Sequence, residues 1–298
     1  MKTFANLLGA VSLCVGYAAS AATVERTEPA SAHGEVQVIN VAGTVRVTGW
    51  DRSEVEVKAN LGEGVERLDF HVDGEHTMIQ VILPRRKHSS DTELTIHVPR
   101  DSRLDINTVS ADQSIQDVHG AQRLQSVSGD IGTQVWSREF EARSVSGDIV
   151  AKGQAPKAGD SARSRISSVS GDVRVENLGD DIDVESVSGD MSLQVQALTR
   201  AHIRTTNGNA RVTGGLSRDA RIDAESVNGD LSFTFDSGVD AEFDIETFNG
   251  HIDNCFGPKP RKSHEYGPGN ELRFKEGEGH AQVRVKTMNG KVRICREK

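Results

Sequence analysis

The sequence is poor in the residues on which several protein classes depend. Aromatic residues make up 4% of the 298 positions, too few for the two aromatic girdles of an outer-membrane barrel. Beyond the first twenty residues no run of 18 apolar residues occurs, so no transmembrane segment is expected in the mature chain. Basic residues are outnumbered: 35 Lys and Arg against 44 Asp and Glu leave a net charge of −9. The basic stripe that accompanies nucleic-acid binding is therefore missing. Ten histidines are scattered through the chain and none makes a tight metal-ligand spacing. Of three cysteines, Cys14 lies in an N-terminal apolar run, which leaves only Cys255 and Cys295.

What the chain has instead is a repeated turn. Ser126-Val127-Ser128-Gly129-Asp130 recurs letter for letter at 144–148, 168–172 and 186–190. Softer copies lie at 108–112, 205–209, 226–230, 247–251 and 287–291. Nine copies align on Ala111, Gly129, Gly147, Gly171, Gly189, Gly208, Gly229, Gly250 and Gly290, spaced 18, 18, 24, 18, 19, 21, 21 and 40 residues apart. Five residues before that position every copy is apolar, as in Leu124, Ala142 and Val184. Around each turn apolar residues alternate with polar ones, as in Ile182, Val184, Met191, Leu193 and Val195, which is the strand period. The glycine answers either a need for positive φ or a lack of room for a Cβ. A unit this short holds no helix and cannot bury its apolar row alone, but it can stack on its neighbours. The expected fold is all-β: a β-solenoid resembling a right-handed β-helix, with about nine rungs of 18–21 residues and a less regular N-terminal β cap.

The chain divides accordingly. Residues 1–21 read as a signal peptide, with Lys2, an apolar run and Ala19-Ser20-Ala21 as cleavage site. The residue before Cys14 is the large Leu13, which argues against a lipoprotein. Cleavage removes only Lys2 among charged residues, so the mature charge is −9 − 1 = −10. Residues 22–33 are a polar leading segment, 34–100 an N-terminal β region with a degenerate turn at Asn40–Gly43 and a charged tip at Arg85–Ser90, and 101–298 the repeats. Insertions interrupt the repeats near 153–160 and 256–279, and residues 281–298 return to the repeat as its last rung. Cys255 and Cys295 each lie five residues after a turn glycine. If their rungs are adjacent, they fall within the Cα separation of a disulfide, which an exported protein permits.

The turns, together with Gly43-Thr44-Val45-Arg46-Val47, Gly49-Trp50-Asp51, a strand ending Val98-Pro99 and the closing Val283–Val292 stretch, resemble the bacterial DUF4097 family. That resemblance covers roughly 34–294 and implies an exported β-solenoid of adhesin-like description, with no catalytic residues to carry over.

Candidate chemistry is sparse. Asp130, Asp148, Asp172 and Asp190 form a column that calcium could bridge. The alternative is that each accepts a hydrogen bond from turn backbone or faces water, and the change to Asn209, His251 and Lys291 favours it. The Ser/Thr column lacks a neighbouring base and reads as hydroxyl ladders between rungs rather than nucleophiles. Lys259, Arg261, Lys262, His264 and Tyr266 form a possible binding loop on a rigid scaffold. Trp50 and Trp136 read as packing residues. No catalytic, cofactor or metal site is assigned. The reading is a non-enzymatic, periplasmic or surface-exposed binding, adhesin-like or structural module, its partner an envelope glycan, lipid head group or protein. The alternatives are a polysaccharide-acting lyase or hydrolase and an envelope-stress accessory protein.

Overall fold

The computed structural model describes residues 22–84, 91–136, 139–154, 163–263 and 268–297. The signal peptide, the Arg85–Ser90 tip, most of the 153–160 insertion, and His264 and Tyr266 lie outside the described residues. Among the described residues the fold is all-β, and no helix is long and apolar enough to cross a membrane. The strands are β1 (Ala22–Pro29), β2 (Glu35–Trp50), β3 (Glu54–Leu61), β4 (Arg67–Asp73), β5 (His76–Ile82), β6 (Asp91–Pro99) and β7 (Arg103–Gln116). Next come β8 (Gln122–Ser126), β9 (Ile131–Val135), β10 (Glu139–Ser144), β11 (Ile149–Gly153), β12 (Arg163–Ser168), β13 (Val173–Glu176) and β14 (Asp181–Ser186). The last are β15 (Met191–Asn207), β16 (Ala210–Asn228), β17 (Leu231–Phe235), β18 (Ala241–Asn254), β19 (Arg261–Lys262), β20 (Asn270–Glu276) and β21 (Ala281–Arg296).

Each repeat contributes one extended segment before its turn and one after it, joined as a single strand in β7, β18 and β21, and like segments pair in parallel. Before the turn, β8, β10, β12 and β14 lie in register, so that Leu124, Ala142, Ile166 and Val184 form a continuous column. The column continues through Ile203, Ala224, Val285 and Ile245, each at most 1% exposed. After the turn, β9, β11, β13 and the first half of β15 form a second column, with Ile131, Ile149, Val173 and Met191 aligned. Alternate residues point inward, and the two columns share one core. A one-residue slip would turn every apolar side chain outward, so this alternation fixes the register.

Layer order departs from chain order at the C-terminal end. The final strand β21 does not lie outermost. It pairs with β16 and β17 on one side and with β18 on the other. The last repeat in sequence is therefore the penultimate layer in space, which corrects the expectation that 281–298 form the last rung. Beyond it β18 is covered by the antiparallel β20, and β20 by β19. The N-terminal end has the same arrangement. All of β2 except Val41 and its last two residues pairs with β7, while β5 and β6 line its other side. Antiparallel β4, β3 and β1 lie outside those. Thus β2 is a full layer rather than irregular cap, and Gly43 of its degenerate turn lies opposite Ala111. Antiparallel strands cover β5 and β6 at one end and the Ala241–Thr247 half of β18 at the other, which shields these parallel edges from another chain.

Charge explains the order. On the outer face before the turn, facing residues run Asp105, Arg123, Glu141, Arg165, Asp183, His202, Asp223, Arg284, Asp244 and Arg273. Acid and base alternate at every step. Sequential stacking of β16 on β18 would oppose Asp223 to Asp244 and Glu225 to Glu246. With β21 between them, Arg284 lies 3.7 Å from Asp223 and Lys286 3.2 Å from Glu246. Each exposed pair contributes about 0–1 kcal/mol, but opposed like charges are destabilising, so the row discriminates between layer orders. The far end of the core is filled by Phe233, Phe235, Phe243, Phe256 and Phe274, with Phe243 and Phe274 stacked at 4.6 Å. Large rings concentrate where the last layer has core on one side only.

Candidate functional site

The turn is built by three of its five residues. Ser126, Ser144, Ser168 and Ser186 are buried, and each accepts a hydrogen bond from the turn glycine three residues on, at 2.9–3.0 Å. The expected hydroxyl ladder between rungs is thus a local bond within each turn, because the glycine N–H lies nearer than the next serine. The glycines answer the second of the two sequence alternatives. A Cβ on Gly189 would lie 2.0 Å from the carbonyl oxygen of Gly171 in the layer below, and one on Gly147 2.1 Å from that of Gly129. At Gly129, Gly147, Gly171 and Gly189 the need is for close approach between layers, not for positive φ, whereas Gly43 and Gly290 have both, with φ of 106° and 155°.

The aspartates close the turn from layer to layer. The backbone N–H of Asp148 donates to Asp130 Oδ1, that of Asp172 to Asp148 and that of Asp190 to Asp172, each at 2.9 Å. The row continues through Asn209 and Asp230 to the N–H of Lys291, which donates to Asp230 Oδ1 at 2.7 Å. Each Oδ1 thus accepts a turn N–H from the next layer. In the Asn-Gly turns the amides add a second row, Asn207, Asn228, Asn289 and Asn249. It repeats the spatial order of β16, β21 and β18.

Between the serine and the glycine stands an outward apolar residue. Val109, Val127, Val145, Val169, Val187 and Val227 are 42–45% exposed, and Met288 and Phe248 54% and 56%. They form a ridge along the corner. At its C-terminal end a cleft of about 710 Å³ opens between Val227, Met288 and Phe248 on one side and Ser263, Pro268 and Gly269 on the other. Lys259, Arg261 and Lys262 are exposed on the same insertion, with Arg261 opposite Glu271 across the β19–β20 pair.

The face after the turn carries a groove of about 550 Å³ that crosses several layers. One wall is the aspartate row from Asp148 to Asp230. Along the other run Arg174, Arg211 and Arg293, separated by Ser192 and Ser232. The small residues between the arginines open the groove. None of the three guanidiniums makes an ion pair among the described residues. Successive arginines stand two layers apart, about 9.6 Å at the ordinary strand spacing. The sequence reading missed this row, since one arginine per two units has no fixed offset along the chain until the units are stacked.

Cys255 and Cys295 are bonded, with Cα atoms 4.7 Å apart. The pair ties β18 to the inserted β21. Nearby, Asp240 accepts bonds from the Gly279 N–H and the His280 ring at 2.5 Å. The His280 ring bond, more than the backbone bonds from the Gly279 and His280 N–H groups, holds its carboxyl below the usual carboxylate range. It fixes the corner where the chain enters β21. Trp50 stacks on His97 at 5.0 Å and donates to the Glu54 carbonyl, a packing role. Trp136 lies against His119 at 4.5 Å and is 43% exposed.

A family model, Toastrack DUF4097, matches residues 44–295. The chain belongs to the Toastrack DUF4097 family. The Toastrack match begins inside β2 and ends at the second bonded cysteine, so it takes in the turns, the groove and the inserted strand. No curated protein matches the chain. Among solved structures, a candidate adhesin from Bacteroides fragilis is 11% identical, with 92% of this chain and 98% of that one covered and a TM-score of 0.42. A candidate lipid-binding protein from Parabacteroides distasonis is 13% identical, with coverages of 93% and 97% and a TM-score of 0.45.

Proposed function

We propose that this Toastrack protein is a non-enzymatic binding module of the bacterial envelope, exported by its 1–21 segment, and that it holds an extended acidic glycan in the groove after the turn. Residues 101–298 act as the repeat region, wound as a right-handed β-solenoid, and residues 34–100 as its N-terminal part. The parallel in-register columns support that winding. The observation that carries the ligand class is the row of three arginines without ion-pair partners beside the aspartate row. Guanidinium forks suit carboxylate or phosphate substituents. The free aspartate oxygens suit sugar hydroxyls, which donate. A spacing of two layers is close to the length of two extended sugar residues, so acid groups on alternate sugars would meet successive arginines.

Binding of acidic and neutral polysaccharides to the wild type and to an R174Q/R211Q/R293Q variant tests this, with mass spectrometry of the soluble products in parallel. An acidic glycan should bind and the triple variant should lose at least ten-fold in affinity. No preference for acidic polymers would overturn the ligand class, and released oligosaccharide the non-enzymatic reading.

A further inference from the structure

The alternating row on the face before the turn has one member of a different kind. Of its cationic positions, those at 123, 165, 284 and 273 hold arginine, and only the position between Asp183 and Asp223 holds histidine, His202. Arginine is a permanent cation that cannot coordinate a metal. Imidazole is a titrating group whose neutral form is a metal ligand. At this one place the row supplies a nitrogen donor where elsewhere it supplies fixed charge.

The surroundings complete a donor set. Asp183 is directly opposite His202 on the neighbouring strand, and Glu185 follows on the same outward face. Donor atoms of Asp183, Glu185 and His202 all lie within 4.8 Å of one another. Both carboxylates are half-committed. Asp183 meets Arg165 through Oδ2 at 3.5 Å, while its Oδ1 is buried and without a hydrogen-bond partner. Glu185 meets Arg204 through Oε1 at 3.2 Å, which leaves Oε2. One imidazole and two carboxylate oxygens suit a borderline cation such as zinc, not calcium, which takes oxygen ligands alone.

We propose that Asp183, Glu185 and His202 form a zinc site that joins β14 to β15 and supplies the positive charge the row otherwise takes from arginine. The site lies on the face before the turn and the arginine groove on the face after it, so it stands or falls independently of the glycan reading. No sequence spacing announces it, because 183 and 202 come together only through the 19-residue offset between adjacent layers.

Calorimetric titration of chelator-treated protein with zinc chloride tests the site. The wild type should take up one zinc per chain with a rise in melting temperature. H202A and D183N should bind at least ten-fold more weakly, and H251A, altered at an exposed histidine elsewhere, should bind as the wild type does. H202R restores the charge alternation, so it should melt no lower than the metal-free wild type and yet bind no zinc, which separates lost ligation from lost folding. Failure of the wild type to bind zinc stoichiometrically, or zinc binding by H202R as tight as the wild type's, would overturn the proposal.

Discussion

Replacement of Gly189 by alanine probes the closeness of the layers. The added Cβ would lie 2.0 Å from the Gly171 oxygen, against at least 3.4 Å in ordinary contact, so the two turns must separate by 3.4 − 2.0 = 1.4 Å. That separation breaks two bonds of 2.9 Å, from Ser188 N–H to the Val169 carbonyl and from Asp190 N–H to Asp172 Oδ1. Two such bonds contribute about 1 kcal/mol each, and the overpacking costs a further 1–3 kcal/mol or so. The sum predicts a loss of about 3–5 kcal/mol. Gly132→Ala is the matched control. Its Cβ would meet nothing closer than 3.7 Å, and stiffening the unfolded chain should leave it neutral or stabilise it by up to about 1 kcal/mol. Urea unfolding of both variants decides. A Gly189→Ala protein within 1 kcal/mol or so of the wild type, or equal losses in the two variants, would refute the reasoning.

Ser186→Val leaves the buried N–H of Gly189 without its acceptor and should cost about 1–3 kcal/mol in the same assay. Thiol titration of the unreduced protein should find neither Cys255 nor Cys295 reactive. Reduction opens a 40-residue loop and should lower stability by up to about 4 kcal/mol, read as a fall in melting temperature. Because the carboxyl of Asp240 is held below its ordinary value of 3.8, its contribution is present above that value and lost as pH falls through the depressed folded one. Asp240→Asn should therefore lose stability at neutral pH and show a weaker dependence on acid below about pH 4. Calcium titration of the wild type should give no binding to the Asp130–Asp190 column.

Much of the fold was legible because the repeat constrains letters at two levels. Layers that pass within one carbonyl of each other admit only glycine at positions such as 147 and 189, and the shared core admits only apolar residues at 124, 142 and 184. Offsets along the chain therefore reveal contacts across it. The layer order at the ends was not legible from the turn motif, since Asn-Gly at 228, 249 and 289 can face any other copy. The signal was present in the charges: Asp223 and Asp244 are like, and Arg284 is the residue that belongs between them. The serine role was misjudged because the column suggested contacts between layers, whereas the hydroxyl is satisfied three residues away in its own turn. The arginine groove and the His202 cluster are properties of stacked surfaces, where residues at irregular chain separations become neighbours.

The insertion of the final strand between two earlier layers is tested most directly by cysteine pairs on the outer face. Glu225 lies opposite Lys286, and Lys286 opposite Glu246. Under mild oxidation, peptide mapping of E225C/K286C should show a new crosslink in high yield, while E225C/E246C, two layers apart, should show none. A crosslink between 225 and 246 without one between 225 and 286 would mean that the layers follow chain order and would contradict the account.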